Sequence, residues 1–104
     1  MIFRRLKLFG RLMKELGHMK YAWKITKDHL DGEDTNTFGP RSITPEQESE
    51  LNSGNGTPFK MYDDDGELYY SGLIIGDFDG FEPLDDFGMP NAGCTGIKVS
   101  GKYL

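Results

Sequence analysis

The sequence predicts a small α+β domain: an antiparallel sheet of about four strands with one short helix, preceded by an N-terminal amphipathic helix. Three observations carry that reading. Tyr21 to Thr26 alternates apolar and polar residues and is rich in aromatic and β-branched types, as a half-buried strand requires. Thr44-Pro45-Glu46-Gln47 is a helix start, with a threonine cap, proline at the first helical position and a glutamine placed to close a capping box. Asp65-Gly66 lies between two aromatic runs, the pattern of a β-hairpin. Such a sheet either stays open or curls into a half-open barrel.

In chain order, residues 1–16 read as a helix at about 100° per residue. Ile2, Leu6, Phe9, Leu12, Met13 and Leu16 fall on one side, Arg4, Lys7, Arg11 and Lys14 opposite, and Gly17 suits a stop. The strand at Tyr21–Thr26 places Tyr21, Trp23 and Ile25 on one face. Residues 28–42 are polar, hold Gly32, Gly39 and Pro40, and read as a long loop. The capped helix from Thr44 ends between Asn52 and Gly56. Phe59–Tyr62 and Glu67–Tyr70 form the hairpin, and its second strand extends to Leu73–Ile75 if Gly72 accommodates a bulge. Residues 76–93 read as a loop pinned to the core by Phe78, Phe81, Leu84 and Phe87. A last strand, Gly96–Ser100, and a turn at Gly101-Lys102 complete the chain.

The chain's 104 residues suffice for one domain with one modest core, supplied largely by seven Phe, five Tyr and one Trp. The expected division is a basic segment over 1–18 and a single acidic domain over 19–104. A lone cysteine, Cys94, excludes an internal disulfide. Arg4, Arg5, Lys7 and Arg11 interrupt any signal-peptide core, so a cytoplasmic address is expected.

Charge is unevenly distributed beneath a net value of -5. Residues 1–29 hold eight Lys or Arg against Glu15 and Asp28. Residues 61–97 hold nine acidic residues and no Lys or Arg: Asp63, Asp64, Asp65, Glu67, Asp77, Asp79, Glu82, Asp85 and Asp86. Like charges at that density repel, which places them on a solvated outer surface. The basic helix leaves three readings open: a membrane-surface helix, a helix packed on an acidic partner or on its own domain, or a translated leader. Lys14-Glu15 can be encoded AAG-GAG, a ribosome-binding sequence, at a suitable distance before Met19 as an alternative start. Membrane contact is expected only if residues 1–18 are retained.

Phe59–Tyr70 with its Asp-rich turn, Pro-Leu-Asp-Asp-Phe-Gly at 83–88 and Asn-Ala-Gly-Cys-Thr at 91–95 resemble a group of small acidic proteins of bacteria, their phages and mobile elements. The likeness covers roughly residues 19–98. That group has no established activity, so the resemblance implies a prokaryotic setting and transfers no catalytic residue.

The aspartates do not form a calcium loop. Counted from Asp63, position 6 is Leu68 instead of glycine, and counted from Asp77, position 5 is Phe81. No metal site or cofactor is expected. Cys94, in the small-residue turn Asn91–Gly96, with His29 as base is the one nucleophilic combination available. A lone cysteine is more often a small buried hydrophobe. The acidic surface disfavours direct nucleic-acid binding and points instead to a basic protein partner. Spaced carboxylates with aromatics between them can imitate a nucleic-acid backbone and occupy a basic groove. The expected function is therefore a non-enzymatic binding module; the alternatives are a Cys94 enzyme and a peripheral membrane protein.

Overall fold

A computed structural model describes residues 20–104. The expected helix over 1–16, the segment over 1–18 and the alternative start at Met19 lie outside the described residues. The fold is α+β. Six strands, β1 (Ala22–Asp28), β2 (Glu33–Gly39), β3 (Thr57–Tyr62), β4 (Leu68–Ile75), β5 (Gly96–Val99) and β6 (Lys102–Tyr103), form one sheet in the order β2-β1-β4-β3-β5-β6. Every neighbouring pair is antiparallel. The two outer strands do not meet, so the sheet is open and not a half-open barrel.

Six strands replace the expected four because both additions are edges. β2 lies within the polar stretch that reads as a loop, and its side chains are mostly exposed. An edge strand needs one hydrogen-bonded neighbour and no buried face, so it shows no apolar alternation. Its pairing is set by the turn before it, where Asp28 Oδ1 accepts from the Leu30 and Asp31 amides at 2.9 and 3.4 Å. β6 arises likewise: the turn falls at Ser100-Gly101, one residue earlier than expected, and Lys102 pairs with Val99.

The central strands match the hydrophobic pattern. Register aligns Trp23 with Ile74, Ile25 with Gly72, Phe59 with Gly72, and Met61 with Tyr70 and Ile97, so these residues share one face. That face carries the main core of Trp23, Ile25, Phe59, Met61, Tyr70, Ile74, Leu84, Cys94 and Ile97. Each large apolar side chain buried there contributes on the order of 2 kcal/mol. The opposite face has a smaller core, Ala22, Leu51 and Ile75, beneath the helix α1 (Pro45–Asn52). The capping box forms: the Gln47 amide donates to Thr44 Oγ1 at 3.2 Å, and the Thr44 amide donates to Gln47 Oε1 at 2.9 Å. Gln47 Nε2 also donates to the Lys20 carbonyl at 3.0 Å, which ties α1 to the start of β1.

Residues 76–93 are more ordered than the expected loop. They contain a π-helical turn, Leu84–Gly88, followed by one turn of α-helix, Met89–Ala92. β4 and β5 both run antiparallel to β3, which lies between them, so they are parallel to each other. The connection must therefore travel the length of the sheet, and it does so across the main core face, where Phe78, Phe81, Leu84 and Phe87 pack.

Gly72 does not mark a bulge; the irregularities lie between Ile25 and Lys27 and between Met61 and Tyr62. Glycine is needed because a Cβ there would collide with the Lys24 carbonyl and the Phe59 ring. Gly72→Ala is expected to cost about 3 kcal/mol, read as a lower urea midpoint. An unchanged midpoint would show that the sheet does not require this close approach.

Candidate functional site

The acidic residues divide into two groups. Asp63, Asp64, Asp65 and Glu67 form the hairpin tip at the start of β4, whereas Asp77 follows its end. Eight residues of β4 at about 3.3 Å each put roughly 26 Å between those points. The hairpin tip is built by Asp63, whose Oδ1 accepts from the Asp65 and Glu67 amides, each at 2.9 Å. Gly66, with φ 81°, closes the turn by donating its amide to the Asp63 carbonyl. Bonding from the Glu67 amide above all, with help from the Asp65 amide and the Tyr69 hydroxyl, holds the Asp63 carboxyl below the usual carboxylate range. Asp64, Asp65 and Glu67 point outward and are exposed.

The segment over the core carries Asp77, Asp79, Glu82, Asp85 and Asp86. Glu82 corrects the expectation of a uniformly solvated acidic surface, being only 3% exposed. Its Oε2 accepts from the Asp79 amide at 2.8 Å and its Oε1 from the Gly80 amide at 2.9 Å. A buried carboxylate persists where backbone donors replace water in this way. Asp79 Oδ1 in turn accepts from the Phe81 amide at 2.8 Å. Asp86 Oδ2 accepts from the Tyr21 hydroxyl at 2.8 Å and from Trp23 Nε1–H at 3.0 Å, pinning the segment to the start of β1. Asp77 is half-buried and Asp85 exposed.

Cys94 and His29 are not brought together. Cys94 is fully buried in the main core, beside Gly88 and Met61. Burial, and secondarily the Asp63 charge, push its thiol up to about 11, so it is protonated at neutral pH and a poor nucleophile. The His29 ring is on the other side of the sheet, with Nε2 2.7 Å from Ser71 Oγ. Burial, with the Lys27 and Lys60 charges, lowers the His29 pKa from 6.5.

That opposite face holds a feature the sequence reading missed. Register aligns Lys27, Ser71, Lys60 and Lys98 in one row across β1, β4, β3 and β5, and Tyr103 of β6 follows Lys98. Lys98 Nζ lies 5.1 Å from the Tyr62 ring centroid and 4.7 Å from that of Tyr103. The two rings are 5.6 Å apart. Pro58, Phe59, Lys60, Tyr62, Lys98 and Gly101 line a concavity of about 360 Å³. α1 covers only the other half of this face. The signal was present as lysines at alternate strand positions, but their convergence depends on strand order.

Among the described residues, no three or more His, Cys, Asp or Glu side chains are grouped to hold a metal ion. No helix among them is long and apolar enough to cross a membrane. No family model, curated protein or solved structure matches the chain.

Removing the Asp86 acceptor with Asp86→Ala should cost about 1–2 kcal/mol and shift the emission of Trp23, the single tryptophan. Asp64→Asn, at an exposed site, should leave both readouts unchanged; equal effects from the two variants would remove the anchoring role. His29 supplies a pH dependence. Its folded pKa lies below 6.5, so on acidification the unfolded chain binds the proton first. Stability attributable to His29 is complete above pH 6.5 and declines as pH falls through 6.5 towards the lowered folded value. Thermal melts should show His29→Gln with a flatter profile in that interval, and parallel profiles would refute the assignment.

Proposed function

We propose that the protein is a non-enzymatic binding module that engages a partner with a basic surface through its exposed carboxylates, acting in the cytoplasm. One observation supports this most strongly. Residues 61–97, which supply both the hairpin tip and the layer over the core, carry nine acidic residues and no Lys or Arg. Over residues 20–104 the balance is sixteen acidic against seven basic residues, or -9. A field of that sign steers a basic partner and repels nucleic acid.

The carboxylates have different tasks. Asp63, Asp79 and Glu82 hold their own backbone and define the shape of the surface. Asp64, Asp65, Glu67, Asp85 and Asp86 are exposed. Carboxylates held on a folded frame at two stations imitate the phosphates of a nucleic acid. The proposed partner is therefore a DNA- or RNA-handling protein, and the resemblance to phage and mobile-element proteins makes a host defence protein its natural setting.

Substituting Asp64→Asn, Asp65→Asn and Glu67→Gln together removes charge without disturbing the bonds that Asp63 makes. With the full chain as bait in host lysate, the captured proteins should be basic, should elute as salt rises, and should be lost with the triple variant. Capture that tolerates both salt and the triple variant would overturn the proposal.

A further inference from the structure

The row of lysines on the half of the sheet that α1 does not cover is unexplained by the acidic reading and does not rest on it. Lys60 and Lys98 face each other directly across β3 and β5, where like charges destabilise a sheet. Among the described residues, neither these two nor Lys27 is ion-paired with a carboxylate, although acids outnumber bases by more than two to one there. Lys24 shows the contrast: its ammonium donates to Asn52 Oδ1 at 3.0 Å. Lys98 instead sits over the Tyr62 and Tyr103 rings, and Tyr103 is 58% exposed.

We propose that this concavity, with Tyr103 beside its Tyr62, binds a free mononucleotide, with Lys60 and Lys98 on its phosphates and the Tyr62 and Tyr103 rings against its base. Charge complementarity selects an anion, and the tyrosine faces select one carrying a planar ring. The concavity's volume lies at the low end of the range for small-molecule pockets, roughly 300–1,000 Å³. Net charge selects a short ligand over a polymer. Five of the carboxylates lie in the segment over the opposite sheet face, and charges farther than about 8 Å are screened at physiological salt. Of the acids, a ligand confined to the concavity therefore meets chiefly those of the hairpin tip that follow Tyr62, alongside Lys60 and Lys98, whereas a strand running past it meets more carboxylates.

ADP titrated into the full-length ¹⁵N-labelled chain should move the amides of Lys60, Tyr62, Lys98 and Gly101. The Lys60→Gln/Lys98→Gln double variant removes a like-charge pair, so it should fold at least as well and bind ADP about tenfold more weakly or worse. Tyr103→Leu should weaken ADP more than inorganic pyrophosphate. The proposal is overturned if ADP leaves these amides unmoved, or if the double variant binds it unchanged. It is also overturned if pyrophosphate binds as tightly as ADP, or if oligothymidylate or a glutamate-rich peptide takes the same amides more tightly.

Discussion

The structure depends on how its main core is roofed. β4 and β5 are parallel with β3 between them, so the chain joining them has to run the length of the sheet. In this protein it runs over the face holding Trp23, Phe59, Met61 and Tyr70. Among the described residues, no long helix or second sheet covers that face. The covering segment is acidic, and its aromatic residues supply the apolar surface that the core requires. Trp23, Tyr70 and Phe87 form a chain of tilted ring contacts, with centroids 5.6 and 5.0 Å apart, linking β1 and β4 to the segment above.

An acidic roof over a hydrophobic core sets an electrostatic problem, and the carboxylates themselves answer part of it. Glu82 and Asp79 accept from backbone amides of their own turn, and Asp86 accepts from the Tyr21 and Trp23 side chains at the start of β1. In each case a negative charge meets donors that would otherwise need water, in a stretch too irregular for a regular ladder. The acid content of residues 77–86 thus has a structural share before any partner is considered. The same holds at the hairpin tip, where Asp63 supports the turn and its three acidic neighbours are left at the surface.

The sheet consequently has two chemically different sides. One lies under the acidic roof. The other is half covered by α1 and half occupied by lysine and tyrosine side chains. His29 belongs to this second side, where two lysines and burial favour its neutral form. Because the strands alternate, one stretch of sequence serves both sides: Phe59 and Met61 enter the core, while Lys60 between them faces outward.

Local features were legible wherever neighbouring residues suffice to define them. The capping box at Thr44–Gln47, the turn at Asp63–Gly66 and the inward face of Trp23 and Ile25 follow from backbone preferences and a two-residue period. β2 was not legible although Asp31-Gly32 repeats the Asp-Gly signal of the hairpin tip, because the residues after it are polar and an edge strand buries almost nothing. Glu82 reads as surface acid in a run of acids; its bonds to the Asp79 and Gly80 amides are local, and the fold decides that it is buried. The sequence by itself determined the charge, the strand and helix seeds and the absence of an internal disulfide. Tertiary structure alone decided that Asp86 is pinned to Tyr21 and Trp23, that Cys94 and His29 lie on opposite sides of the sheet, and that Lys27, Lys60 and Lys98 share a row. Those outcomes depend on strand order and register between segments far apart in the chain, and no local preference encodes them.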